Sequence, residues 1–141
     1  MRTFTIIIVV LSIATVTPAL PFCFEEAGQF YGVSPYVLWA IAKQESNFCP
    51  NAINYNKNGT YDYGVMQINS IWYDKLGHER WMMLSAPCYN VMIGAWILSK
   101  CIQKHGYTWE AIGCYNASSK VKRNKYAWKI NNSLEWYEMN F

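Results

Sequence analysis

Two neighbouring stretches decide the fold: Ser34 to Ser46 (SPYVLWAIAKQES) and Asn54 to Asp62 (NYNKNGTYD). Ser34 is an N-cap residue followed by Pro35 at the first helical position, so a helix opens there, runs to about Ser46 and stops before Pro50. In the second stretch Asn58-Gly59, flanked by Tyr and Thr, is the strongest two-residue hairpin signal. A helix delivered straight into a hairpin predicts a mainly α domain with a small β-hairpin, an α+β fold. Helical punctuation continues on both sides. Phe24 to Phe30 reads as a short helix ending near Gly32, and Pro87-Cys88 opens a helix to His105 with Gly106 as its stop. Thr108 caps a third, short helix through Ile112, and Lys120 to Ile130 reads as a basic helix. No repeat, low-complexity stretch or linker divides the chain.

The chain has 141 residues, 52% hydrophobic and 15% charged, which suits one packed domain and excludes a disordered tail or coiled coil. A formal net charge of +3 is too mild for a nucleic-acid binder, so no nucleic-acid partner is expected. Aromatic residues reach 17%, a surplus that suits both a core and stacking against sugar faces. Residues 1–19 read as a signal peptide: Arg2 is the charged start, Phe4 to Ala14 the apolar run, and Thr17-Pro18-Ala19 the small-residue cleavage site. The apolar run is shorter than the ~20 residues a membrane span needs, so no stable membrane anchor is expected after cleavage. Phe22 stands where a lipoprotein site wants a small residue, which argues against lipid attachment at Cys23. The expected product is an exported single domain, residues 20–141.

Export permits disulfides, and five cysteines (23, 49, 88, 101 and 114) leave at least one free thiol. No Cys-x-x-Cys pair exists, and His78 and His105 lie far from metal-ligand spacing, so neither metal nor other cofactor is expected.

Carboxylates are scarce, seven Glu and two Asp. At 100° per residue from Val37, the apolar Val37, Leu38, Ile41 and Ala42 fall at roughly 0°, 100°, 40° and 140°, and Glu45 at roughly 80°, inside that apolar arc. A carboxyl there, at a helix C-terminus, is desolvated and feels the negative end of the dipole; both raise its pKa, as a general acid requires. From this segment alone, a rotated helix that lets Glu45 reach solvent is the slightly stronger reading. Asp62 sits on the return strand, where it could face Glu45 across a cleft as the second carboxylate of a glycoside-cleaving pair. In isolation an ordinary hairpin or turn-stabilising role for Asp62 is the stronger reading.

Three ordered blocks shift that balance. Glu45-Ser46-Asn47-Phe48, Gly64-Val65-Met66-Gln67-Ile68-Asn69 and Cys114-Tyr115-Asn116-Ala117 resemble the signature of the lysozyme-like lytic transglycosylases (SLT domain), over about Cys23 to Tyr126. Within that family the chain resembles the IagB/IpgF/EtgA group of small periplasmic enzymes that accompany type III secretion and conjugation systems, including a Pro-Cys-x-Asn-Val stretch at Pro87 to Val91. The resemblance implies a lysozyme-like fold and cleavage of the β-1,4 bond after N-acetylmuramic acid in peptidoglycan glycan strands. Glu45 would be the acid and then the base, with Asp62 as the extra acidic residue of the secretion-associated subgroup. Ser46, Met66, Gln67, Tyr115 and Asn116 would form the substrate-binding set, with Met66 and Gln67 lining the cleft and Tyr115 touching the catalytic carboxyl. The sugar's own 6-hydroxyl would attack, leaving a 1,6-anhydro end. Asp-Tyr-Gly-x-x-Gln-Ile-Asn also resembles animal-type lysozyme, so a hydrolase on the same scaffold stays open, as does a murein-binding structural component. The implied partners are glycan strands and a component of a type III secretion or conjugation apparatus; the implied location is the periplasm.

The resemblance further implies a Cys23–Cys88 disulfide and leaves the pairing of Cys49, Cys101 and Cys114 open; Cys114 reads better as a small buried apolar residue than as a bonded one. The family's Gly after Tyr-Asn-Ala is Ser118 here, which implies a different backbone at that turn. Lys120, Lys122, Arg123, Lys125 and Lys129 read first as a solvated basic helix face, and second as a contact for acidic murein peptides or a partner. Glu135 to Phe141 is aromatic-rich and reads as packing.

Overall fold

A computed structural model describes residues 22–140; the expected signal peptide, 1–19, lies outside the described residues. In chain order the elements are α1 (Phe24–Tyr31), α2 (Pro35–Ser46), β1 (Ile53–Tyr55), β2 (Tyr61–Tyr63), β3 (Ile68–Asn69), α3 (Tyr73–Leu76), α4 (His78–Met82), α5 (Pro87–His105), α6 (Trp109–Asn116) and α7 (Lys120–Asn140), with 3-10 turns at Ser70–Trp72 and Met83–Ser85. The molecule is mainly α with a small β part. α2 and α5 start and stop where their Pro and Gly punctuation places them.

The differences have local causes. α6 runs past Ile112 to Asn116 because Cys114 is tied to Cys101 on α5 and Gly113 lies against the Arg123 backbone, where a Cβ would come within 2.4 Å of the Arg123 carbonyl oxygen. α7 continues past Ile130 to Asn140 because Trp136 stacks on Trp39 of α2 (6.1 Å, 5° between planes) and Tyr137 meets the same ring edge-on at 4.8 Å. The hairpin is also wider than the two-residue turn expected from Asn58-Gly59. Asn56 N–H donates to Thr60 O (2.8 Å) and Gly59 N–H to Asn56 O (3.1 Å), so the loop spans residues 56–60. It is followed by a third strand, giving an antiparallel sheet ordered β1-β2-β3, with Asp62 opposite both Asn54 and Asn69.

The core lies where α2, α5 and the chain around β3 meet. Leu38, Ile41, Val65, Met66, Ile68, Val91, Leu98 and Ile130 are all fully buried. Asn90 of α5 is buried with them and satisfies three backbone groups: its Oδ1 accepts from Met66 N–H (2.8 Å), and its Nδ2 donates to Tyr63 O (3.1 Å) and Leu84 O (3.2 Å). Buried amides need such partners, and here one side chain ties α5 to both ends of the β2–β3 turn. Gly64 in that turn has φ +81°, and a Cβ on it would fall 2.1 Å from Asn90 Nδ2. Only glycine fits there.

Cys23 is disulfide-bonded to Cys88 and Cys101 to Cys114, so the reading of Cys114 as a merely apolar residue is corrected: it faces Cys101 one helix away. In the chain-entropy model, loops of these lengths are worth about 4 and 3 kcal/mol respectively. Cys49 is the free, exposed thiol. Among the described residues no helix is long and apolar enough to cross a membrane, and no His/Cys/Asp/Glu cluster could hold a metal ion.

Candidate active site

The last turn of α2 points Glu45 into a cleft of about 950 Å³, lined on its other sides by the sheet, by α5 and by the α6–α7 corner. α2 ends there because Asn47 takes a left-handed conformation (φ 51°) and caps back onto the Ala42 and Lys43 carbonyls. The Glu45 pKa is raised from 4.5 to about 7: burial is the largest influence, the hydrogen bond from Tyr126 and the Lys129 charge oppose it, and the Asp62 charge adds to it. The Tyr126 hydroxyl, on α7, donates to Glu45 Oε1 at 2.5 Å. With Oε1 so occupied, Oε2 is the oxygen left to carry the acid's proton. Burial, and then the nearby Glu45 charge, raise the Tyr126 phenol well above its usual range, so it stays a donor.

Asp62, on the central strand, lines the same cleft and is only partly buried. Each of its oxygens accepts a side-chain amide: Oδ2 from Asn56 Nδ2 at 2.8 Å and Oδ1 from Asn69 Nδ2 at 2.6 Å. Both amides fix the carboxylate plane. The sheet register produces this clamp, since Asn69 is the cross-strand partner of Asp62 and Asn56 begins the hairpin loop.

The structure divides the remaining residues of the expected binding set. Gln67, Tyr115 and Asn116 line the cleft. Met66 does not: it is fully buried, packed against Gly94 of α5 from the turn that precedes β3. Ser46 faces away from the cleft lining as well. Its hydroxyl donates to Val65 O (2.7 Å) and accepts from Cys49 N–H (3.1 Å), locking the Glu45 turn to the β2–β3 segment. Gln67 holds an uncommon φ of +50°, and its amide is spent on the scaffold: Asn54 Nδ2 donates to its Oε1 (2.6 Å), and its Nε2 donates to Gly64 O (2.8 Å) and Ala52 O (3.1 Å). Tyr115 donates to Met66 O at 2.7 Å and lies close enough to Glu45 for that charge to add to the burial that raises its phenol pKa, while the hydroxyl that hydrogen-bonds to Glu45 is that of Tyr126. Ser118 lines the cleft without a positive φ, following Ala117 in extended backbone; the turn there makes no demand that only glycine meets.

Sequence reasoning left Tyr126, Asn56, Asn69 and Asn90 without roles. The sequence signal for Tyr126 was its place in an otherwise basic helix: with Ala127 and Ile130 it makes a short i, i+1, i+4 stripe, and these are the residues of α7 that are buried.

A desolvated acid near neutral pKa and a clamped carboxylate facing one groove define an acid/base site of the kind that cleaves glycosidic bonds, on a lysozyme-like scaffold. Residues 22–134 match the Transglycosylase SLT domain, and the chain belongs to this family of lytic transglycosylases. It is similar to invasion protein IagB of Salmonella typhimurium (strain SL1344), 41% identical over 130 residues, covering 87% of this chain and 81% of that one. It is also similar to protein IpgF of Shigella flexneri, 40% identical over 106 residues (73% and 70% of the two chains), and to a peptidoglycan-binding-like protein of Escherichia coli O157:H7, 36% identical over 122 residues (77% and 73%). Membership implies peptidoglycan as substrate, acted on outside the cytoplasm.

Proposed function

We propose that this protein is a peptidoglycan lytic transglycosylase that cleaves the N-acetylmuramic acid-β-1,4-N-acetylglucosamine bond with Glu45 as its acid and base and leaves a 1,6-anhydro end. The observation that carries the reading is the asymmetry of the two carboxyls: Glu45 raised to about 7 by burial, Asp62 held between two amides. Glu45 gives its proton from Oε2 to the glycosidic oxygen as the C1–O bond breaks, and the leaving sugar departs as an alcohol. The Asp62 carboxylate stabilises the positive charge developing at C1 and the ring oxygen. Glu45, now a carboxylate, takes the proton of the same muramyl residue's 6-hydroxyl while that oxygen bonds to C1. The acid is regenerated and no water is consumed. With both Asp62 oxygens engaged by amide donors, the side chain is better suited to an electrostatic role than to forming a bond to C1.

Its presence in the cleft nonetheless supports a second reading, a hydrolase in which water takes the place of the 6-hydroxyl. Gln67, Tyr115 and Asn116 line the groove for the glycan. Residues 1–19 serve as the export signal, residues 20–141 are the working domain, and the place of action is the periplasm. There the enzyme opens the wall locally for a type III secretion or conjugation apparatus; the similarity to IagB and IpgF supports that assignment.

Digestion of purified peptidoglycan by the mature protein, Glu45→Gln and Asp62→Asn, with products weighed by mass spectrometry, tests the reading. Anhydro-muropeptides lost with Glu45→Gln support it; products heavier by one water establish the hydrolase; no soluble product from any form supports a structural binder.

A further inference from the structure

The cleft holds two carboxyls and four lysines. Lys57 comes from the hairpin loop, Lys100 and Lys104 from α5, and Lys122 from the start of α7. On α5 the lining residues Ile97, Lys100, Cys101 and Lys104 recur at helical spacing, so one face of that helix runs along the groove, with the two lysines about 6 Å apart along its axis. Lys100 is held in place, its Nζ 4.7 Å from the centroid of Trp96. Among the described residues the ion pairs are Arg123 with Glu110 and His105 with Glu110; none of the four cleft lysines is in one. The neighbouring Arg123 is neutralised by Glu110 at 3.0 Å, while Lys122, next to it in sequence, keeps its charge for the groove. The four lysines are not the cations that bear on Glu45: that cation is Lys129, which is outside the cleft lining. A concave groove lined with unpaired like charges focuses its field on an incoming ligand of opposite sign. A glycan whose carboxylates are all capped as neutral amides offers nothing to such a field. A glycan strand bearing stem peptides carries free carboxylates at each muramyl residue.

We propose that Lys57, Lys100, Lys104 and Lys122 form a recognition site for stem-peptide carboxylates, so that the enzyme selects peptide-bearing strands over strands without negative charge. This rests on the glycan-cleaving reading above and deepens it. Exposed ion pairs contribute factors of about 1.5 to 5 each, so three or four together give about a tenfold preference.

The test uses soluble, uncross-linked strands with intact stems and the same strands after their carboxylates are capped as methylamides by carbodiimide coupling. The expected result for the wild type is a KM about tenfold higher on capped strands at low salt, with the difference closing as salt is added. In Lys100→Gln/Lys104→Gln/Lys122→Gln the ratio of the two KM values falls towards one. Equal KM values for the wild type, or a preference that survives in the triple variant, would overturn the proposal. Binding of both strands to the Glu45→Gln protein is measured alongside. If cleavage is absent altogether, the catalytic reading fails, while a preference for uncapped strands in binding still upholds the lysine site and equal binding still rejects it.

Discussion

Tyr126 and Glu45 lie 81 residues apart and meet in a 2.5 Å hydrogen bond in which the phenol donates to Oε1. The bond sets both the orientation of the acid and its proton affinity, and it links the last helix to the end of α2. In Tyr126→Phe the donor is lost, and since that donor lowers the Glu45 pKa, the pKa moves above its present value of about 7. A general acid works while protonated, so the alkaline limb of the pH–rate profile shifts to higher pH. At the same time kcat falls by about ten- to a hundredfold, because the carboxyl loses its fixed orientation. A profile of kcat against pH checks both. A fall in kcat with no movement of the limb would assign Tyr126 a packing role alone.

Asp62 acts on the same acid in the opposite sense. Its charge raises the Glu45 pKa, so Asp62→Asn lowers it and moves the alkaline limb to lower pH. The loss of charge stabilisation at C1 reduces kcat by about a hundredfold. Opposite displacements of the limb in Asp62→Asn and Tyr126→Phe are the signature to look for.

These two residues also mark the boundary of what was legible in the sequence. The fold class and α2 and α5 followed from local punctuation, Pro35, Pro87 and Gly106, which acts within a few residues. Glu45 was placed on an apolar arc by helical periodicity, yet that arc alone could not distinguish a buried acid from one turned to solvent. The choice depends on α7 closing over it from 81 positions away. The Asp62 clamp was equally hidden, since Asn69 reaches it through a third strand that begins after a left-handed Gln67 (φ 50°), a conformation with no propensity signal for that residue type. Met66 and Gln67 were both placed in the cleft because a motif states positions and not which way each side chain leaves the turn. Cys114 was misjudged for a similar reason: Cys101 becomes its neighbour when α5 and α6 pack, and neither segment announces the other.

The raised pKa of Glu45 carries a stability consequence. A carboxyl that is 4.5 when unfolded and about 7 when folded binds its proton more tightly in the native state. Its stabilising contribution is fully present below pH 4.5 and is lost as pH rises through 7. In Glu45→Gln that dependence disappears, so the variant gains on the wild type as pH rises from 5 to 8, by on the order of 2–3 kcal/mol. Urea unfolding of both proteins at pH 5 and pH 8 measures it. Parallel behaviour at the two values would show that Glu45 is solvated and ordinary. Digestion of the wall by Glu45→Gln should meanwhile fall by about a thousandfold if Glu45 is the acid and base proposed above.

Asn90 and Gly64 supply the prediction that concerns the frame beneath the site. Asn90→Ala strips a partner from each of Met66 N–H, Tyr63 O and Leu84 O, the first and last of these bonds being buried and the second half-buried. Each buried group left unsatisfied costs about 1–3 kcal/mol, so the variant loses about 3 kcal/mol or more. Gly64→Ala reaches the same joint from the other side, since its Cβ would lie 2.1 Å from Asn90 Nδ2 at a φ of +81°. The two sites share one contact, so their effects are not additive: the Gly64→Ala/Asn90→Ala double variant should lose less stability than the sum of the two single ones, because the shortened side chain leaves room for the new methyl. Denaturant titrations of the four proteins decide it. Strict additivity would mean that Gly64 is required for its backbone angle alone, and that the packing against Asn90 sets nothing.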